Sequence, residues 1–111
     1  MGDDIPPAKA FAKYHRACIA GDVAQILASV TSNNRKEMDS YEKAEFQAVI
    51  NFLRVRPSKI KIGKPVIADD EASFTVEGSE SIGEKATGSI KMIVEDGKWK
   101  VAEDKWKLIA N

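Results

Sequence analysis

ATGSIKMIVEDGKWKVAEDKWKL, residues Ala86 to Leu108, is the stretch whose reading decides the fold. Ahead of Asp96-Gly97, the apolar residues Ile90, Met92 and Val94 alternate with Ser89 and Lys91; beyond it, Trp99 and Val101 alternate with Lys98 and Lys100. Apolar residues at period two give a strand one buried face and one wet face. Asp-Gly supplies the positive backbone angles that a short hairpin turn requires. The stretch therefore predicts two antiparallel strands closed at Asp96-Gly97.

The second strand carries a further signal. Trp99 and Val101 share odd parity, whereas Trp106 and Leu108 share even parity. All four face one core only if parity flips between Ala102 and Lys105. A β-bulge produces such a flip and bends the strand, which predicts a curved sheet with a cavity on its concave side.

Upstream lie two more strand candidates. Lys59 to Ala68 places Ile60, Ile62, Val66 and Ala68 on one parity, with Pro65 marking an edge or a bulge. Ala72 to Gly78 turns Ala72, Phe74 and Val76 inward, and Ser73, Thr75 and Glu77 outward. Ser79 to Lys85 reads as a polar connection.

The first half is helical. Pro7 to Ala20 follows acidic and proline residues that suit a helix start. Phe11, His15 and Cys18 form its apolar stripe at i, i+4 and i+7, with Ala8, Tyr14 and Ile19 beside them. Gly21 stops this helix and Asp22 caps a short one to Ser29. A third helix is expected from Arg35 to Arg54, ended by Arg56-Pro57. Residues 1–5 read as a flexible tail and 6–111 as one domain. The fold class is α+β: two to three amino-terminal helices on the concave face of a bent, roughly four-stranded antiparallel sheet.

The 111 residues fit a single domain and exceed the roughly 40 below which folding needs staples. Seventeen basic residues balance seventeen acidic ones. Phosphate binding thrives on a basic surplus, so nucleic acid is not an expected partner. Cys18 is the only cysteine, which leaves no intramolecular disulfide and no cysteine-rich zinc site. No apolar run reaches the roughly 20 residues of a membrane span. Met1 to Asp4 lacks a secretory leader's pattern, and the chain's start is consistent with removal of a leader.

Helix, short helix, long helix, then a bent sheet closing on Gly97-Lys98-Trp99-Lys100-Val101 resembles the nuclear transport factor 2-like, or cystatin-like cone, superfamily. The resemblance rests on that closing segment and on Phe11 to Ile19 followed by Gly21-Asp22, and it spans about residues 6 to 109. Ketosteroid isomerases and polyketide cyclases share the fold. The likeness is nearest to small bacterial envelope domains found behind lipoprotein leaders, which implies an envelope location. Fold likeness carries little about activity.

Isomerases of this superfamily need a carboxylate base with a tyrosine and a second acid for an enolate oxygen. Tyr14 is placed to supply the tyrosine, and Glu103 or Asp104 a carboxylate. No acid falls among the inward positions of Ala72 to Val76 or Ile90 to Val94. His15 and Cys18 lie one turn apart, but a thiol on an apolar stripe suits packing better than nucleophilic attack. One His and one Cys also fall short of a metal site, and no cofactor is expected. The remaining candidate pocket-lining residues are Phe74, Met92, Trp99 and Trp106, with Phe52 and Glu45 from the third helix. Glu45 is expected on that helix's inward side, reaching for the pocket rim.

The outward sheet face is polar, with Lys59, Lys61, Lys91, Lys98 and Lys100 forming a basic strip and Ile93 as the apolar exception. Such a face predicts a monomer or weak homodimer. The reading that follows is a non-catalytic small-molecule-binding or accessory module with a conical apolar pocket for a small apolar ligand. Two alternatives stand beside it: a small isomerase or cyclase using Tyr14 with Glu103 or Asp104, and a protein-interaction domain using the lysine strip.

Overall fold

The structure, a computed structural model, describes residues 6–79 and 85–109, with side chains as far as Lys107. The expected tail at residues 1–5, the centre of the Ser79–Lys85 connection and the side chain of Leu108 lie outside the described residues.

Helices come first and strands second, as the patterning requires. The elements are α1 (Pro7–Ala20), α2 (Val23–Ser29), α3 (Ser32–Asp39), α4 (Lys43–Arg54), β1 (Lys59–Ile62), β2 (Val66–Ala68), β3 (Glu71–Ser79), β4 (Lys85–Glu95) and β5 (Lys98–Ile109). The five strands form one antiparallel sheet ordered β1-β3-β4-β5, and β2 also pairs with β3. The protein is an α+β domain with its helices ahead of its sheet.

Cap chemistry sets the helix ends. Pro7 opens α1, and Gly21 closes it with a left-handed φ of 70°. Asp22 accepts from the Gln25 amide at 3.2 Å and starts α2; Thr31 accepts from the Asn34 amide at 3.3 Å and starts α3.

The expected long helix from Arg35 to Arg54 is two helices. The Ser40 hydroxyl donates back to the Glu37 carbonyl at 2.6 Å, a local bond that competes with helix propagation. A capping box at Glu42 and Glu45 then starts α4 afresh, with the Glu42 amide donating to Glu45 Oε1 at 3.3 Å. The expected first strand is likewise divided. β1 pairs Ile62 with Val76 and β2 pairs Val66 with Ser73, so four steps on the edge face three on β3. Gly63 to Pro65 take up the extra residue as a bulge.

On β3, burial alternates at every residue: Ala72, Phe74, Val76 and Gly78 turn inward. Asp96 and Gly97 both have positive φ, 53° and 76°, as the β4–β5 hairpin turn demands. On β5 the register shifts once: Met92 faces Val101 and Lys91 faces Glu103, which leaves Ala102 as the bulged residue. From there Asp104 and Trp106 share the inward face with Trp99 and Val101.

The bulge is held from the helical layer. Val30 bridges Val101, the Thr31 amide donates to the Val101 carbonyl at 3.1 Å, and the Asn34 amide group donates to the Ala102 carbonyl at 2.9 Å. Between helices and sheet lie Phe11, Ile26, Val76, Ile90, Met92 and Val101, all sealed from solvent. Phe11 meets Phe74 edge-to-face, with ring centroids 5.7 Å apart. Burying each of the large side chains contributes about 1.5–3 kcal/mol. No helix of the described residues is long and apolar enough to cross a membrane.

Candidate functional site

Between α1, the turn after α4, and β5 sits a cluster of polar side chains inside an otherwise apolar interior. Arg56 brings the positive charge. Pro57 forces the residue before it out of helical geometry, so the chain leaves α4 and turns the Arg56 side chain inward. Its Nη2 lies 2.5 Å from Asp104 Oδ2, and the two side chains are only 6% and 10% exposed. The Trp106 indole donates to the other Asp104 oxygen at 2.6 Å. The guanidinium lies over the rings of Tyr14 and Trp106, 5.5 and 5.7 Å from their centroids.

The Ala102 bulge is what brings Asp104 here. Without the extra residue, Glu103 would take the inward position and Asp104 would face water. Glycines make the remaining room. Gly88 is the cross-strand partner of Trp106, and a Cβ on it would sit 2.9 Å from the indole. At Gly78 a Cβ would come within 2.4 Å of the Pro57 ring and 3.4 Å of Trp106. The indole thus lies flat across a sheet surface kept bare for it.

His15 completes the cluster from α1. Its Nε2 is 2.6 Å from the Pro57 carbonyl oxygen and its ring is 5.8 Å from that of Trp106. A carbonyl only accepts, so Nε2 carries the proton. Burial lowers the pKa of His15 below its ordinary value, with the Pro57 bond pulling the other way, so the ring is neutral near pH 7.

Burial pushes the Tyr14 phenol up, with Asp104 adding to it, and raises the Cys18 thiol against the pull of Arg56. Both stay protonated. Burial works against the charge on Arg56, but the charge and hydrogen bond of Asp104, together with Cys18 and Tyr14, hold the guanidinium above its usual value. Three buried nitrogens find no partner among the described residues: His15 Nδ1, Arg56 Nε and Arg56 Nη1.

The residues expected to line a pocket divide into two groups. Tyr14, His15, Cys18, Asp104 and Trp106 come together in this cluster, and Phe74 and Met92 pack in the core around it. Glu45 is exposed on α4, where its carboxylate caps the helix rather than facing inward. Phe52 is 77% exposed, because Ile50 is the α4 residue sealed in the core and Phe52 is turned away from it. Glu103 faces solvent beside Lys105, at 3.9 Å. Trp99 packs at the core's margin and lines a separate groove of about 330 Å³ with Lys13, Lys98 and Lys100. The Lys100 ammonium donates there to the Ala28 carbonyl.

Arg56 is the residue that sequence patterning passed over, being read only as the residue ahead of a helix-ending proline. The inward parity of Asp104 beside Trp106 was the available signal, since a carboxylate in a core requires a cation. A second, open groove of about 520 Å³ crosses the ends of β1, β3 and β4, lined by Lys59, Ile60, Lys61, Glu77, Gly78, Ser79, Lys85 and Ala86. Among the described residues no group of three or more His, Cys, Asp or Glu is arranged to hold a metal. No family model and no curated protein matches the chain.

Proposed function

We propose that this chain is a non-catalytic binding or accessory module of the nuclear transport factor 2-like cone type, which takes a small molecule between its helices and sheet. One observation carries the reading: Arg56 and His15, both buried, keep three nitrogens unpartnered among the described residues in the middle of an apolar interior. Leaving a buried polar group without a partner costs about 1–3 kcal/mol. A ligand with matching polar atoms offsets that cost.

Binding suits the groups better than turnover does. Asp104 already spends one oxygen on Arg56 and the other on the Trp106 indole, so it is a poor base. Tyr14 and Cys18 are held in their neutral forms. A bacterial envelope location follows from the family resemblance alone.

The test is native mass spectrometry of protein purified gently from its own host. The expected result is an adduct under native conditions that disappears on denaturation and is missing from the double variant Arg56→Met/Asp104→Leu. A clean native mass, with no thermal shift across a library of small uncharged and acidic fragments, overturns the reading.

A further inference from the structure

Resting on that binding reading, we propose the ligand's chemical class: an uncharged molecule whose polar edge sets a carbonyl oxygen beside an N–H, as in an amide or lactam. The proposal follows from which of the three nitrogens give and which receive. Arg56 Nε and Nη1 can only donate, because a guanidinium has no acceptor. His15 is the reverse. Its Nε2 proton goes to the Pro57 carbonyl at 2.6 Å, so the neutral ring presents a bare lone pair at Nδ1.

These groups are held in one place. Arg56 and Pro57 are consecutive, so the bond from His15 to Pro57 fixes the imidazole next to the guanidinium. Both also lie against Trp106, the ring of His15 at 5.8 Å and Arg56 Cζ at 5.7 Å from the indole centroid. The complement is a group that accepts from Arg56 and donates to His15.

Charge decides between an amide and an acid. Asp104 neutralises Arg56 at 2.5 Å, with both side chains largely buried. A second carboxylate brought to Arg56 would meet Asp104 with little screening, and like charges sharing a buried site repel strongly. A carboxylate also has no hydrogen for His15 Nδ1. A carbonyl with a neighbouring N–H satisfies both partners and adds no charge.

Flat groups already stack in this cluster. Tyr14 and Trp106 lie against the guanidinium, and the indole lies across Gly78 and Gly88. Gly78 also lines the open groove of about 520 Å³, so the groove reaches the wall against which Pro57 and Trp106 pack.

Three probes test the class: 2-piperidone, N-methyl-2-piperidone and propionate, titrated to tens of millimolar against the ¹⁵N-labelled protein. The imidazole ¹⁵Nδ1 of His15 and the Trp106 indole N–H report binding. Piperidone is expected to saturate and to move ¹⁵Nδ1 as an acceptor nitrogen moves on gaining a hydrogen bond. Its N-methyl analogue, which leaves Nδ1 unpaired, should bind about tenfold more weakly or worse. In His15→Phe that preference should vanish, and in Arg56→Met/Asp104→Leu the binding itself. Propionate binding more tightly than piperidone overturns the amide class while the binding-module reading survives. Equal affinity for the two lactams also overturns it. No response to any probe overturns it too, and the native mass of the host-purified protein then decides the fate of the binding reading separately.

Discussion

Asp104 Oδ2 and Arg56 Nη2 stand 2.5 Å apart, joining the end of the helical half to the last strand across 48 residues. Both side chains are nearly closed to solvent, at 10% and 6% exposure. Removing one partner of such a pair leaves a buried charge uncompensated. Asp104→Asn is therefore expected to cost about 3–5 kcal/mol in urea unfolding, whereas Arg56→Met/Asp104→Leu together should cost far less. A single variant within about 1 kcal/mol of the parent would show that water screens the pair.

Gly88 answers to Trp106. A Cβ at position 88 would stand 2.9 Å from the indole, closer than real Cβ contacts allow. Gly88→Ala should lose about 1–3 kcal/mol through overpacking and should shift Trp106 emission as the ring is displaced. Combining it with Trp106→Leu should recover part of that loss. Additive losses would mean that Gly88 is needed for a reason other than the indole.

Stability should fall as the solution is made mildly acidic. The His15 ring is held neutral by burial, so its folded pKa lies below the unfolded value of 6.5. Between those two values the unfolded chain binds the extra proton, and the stabilisation present above pH 6.5 is lost as pH drops through the window. The steepest slope from one such proton is about 1.4 kcal/mol per pH unit. His15→Phe should flatten the profile between pH 7 and 5.5, measured by urea midpoints. An unchanged profile would assign the slope to other groups.

Asn34 anchors α3 to the bulge through its amide group, at 3.3 Å from the Val101 carbonyl and 2.9 Å from that of Ala102. Asn34→Ala should cost about 1–2 kcal/mol and speed hydrogen exchange at Val101 to Glu103. If exchange there stays slow, the bulge is held by the Thr31 bond to Val101 alone.

Alternation, caps and turn residues act over a few positions, which is why they were legible. The order of helices and strands, the Asp96-Gly97 hairpin and the inward set Ala72, Phe74 and Val76 all follow from local period and backbone preference. So does the parity flip on β5: Trp99 and Val101 on one parity and Trp106 on the other cannot share a face without an added residue, and Ala102 is that residue. Local signals also misled where a short-range bond outweighed a long pattern. The spacing from Met38 to Phe52 favours one helix, but Ser40 and the Glu42–Glu45 box divide it, and Phe52 and Glu45 end on the outside.

The polar cluster belongs to the other category. The sequence offered Tyr14, His15, Asp104 and Trp106 as separate candidates, with Glu103 as an equal alternative to Asp104, and read Arg56 only as the residue before a proline. Only packing brings them together, because a charge enters an apolar interior solely when its partner arrives from elsewhere in the chain. The short-range code set the elements and the faces they bury. The tertiary structure decided which buried groups meet and which of their nitrogens stay without a partner among the described residues, since burial and charge pairing depend on neighbours distant in sequence.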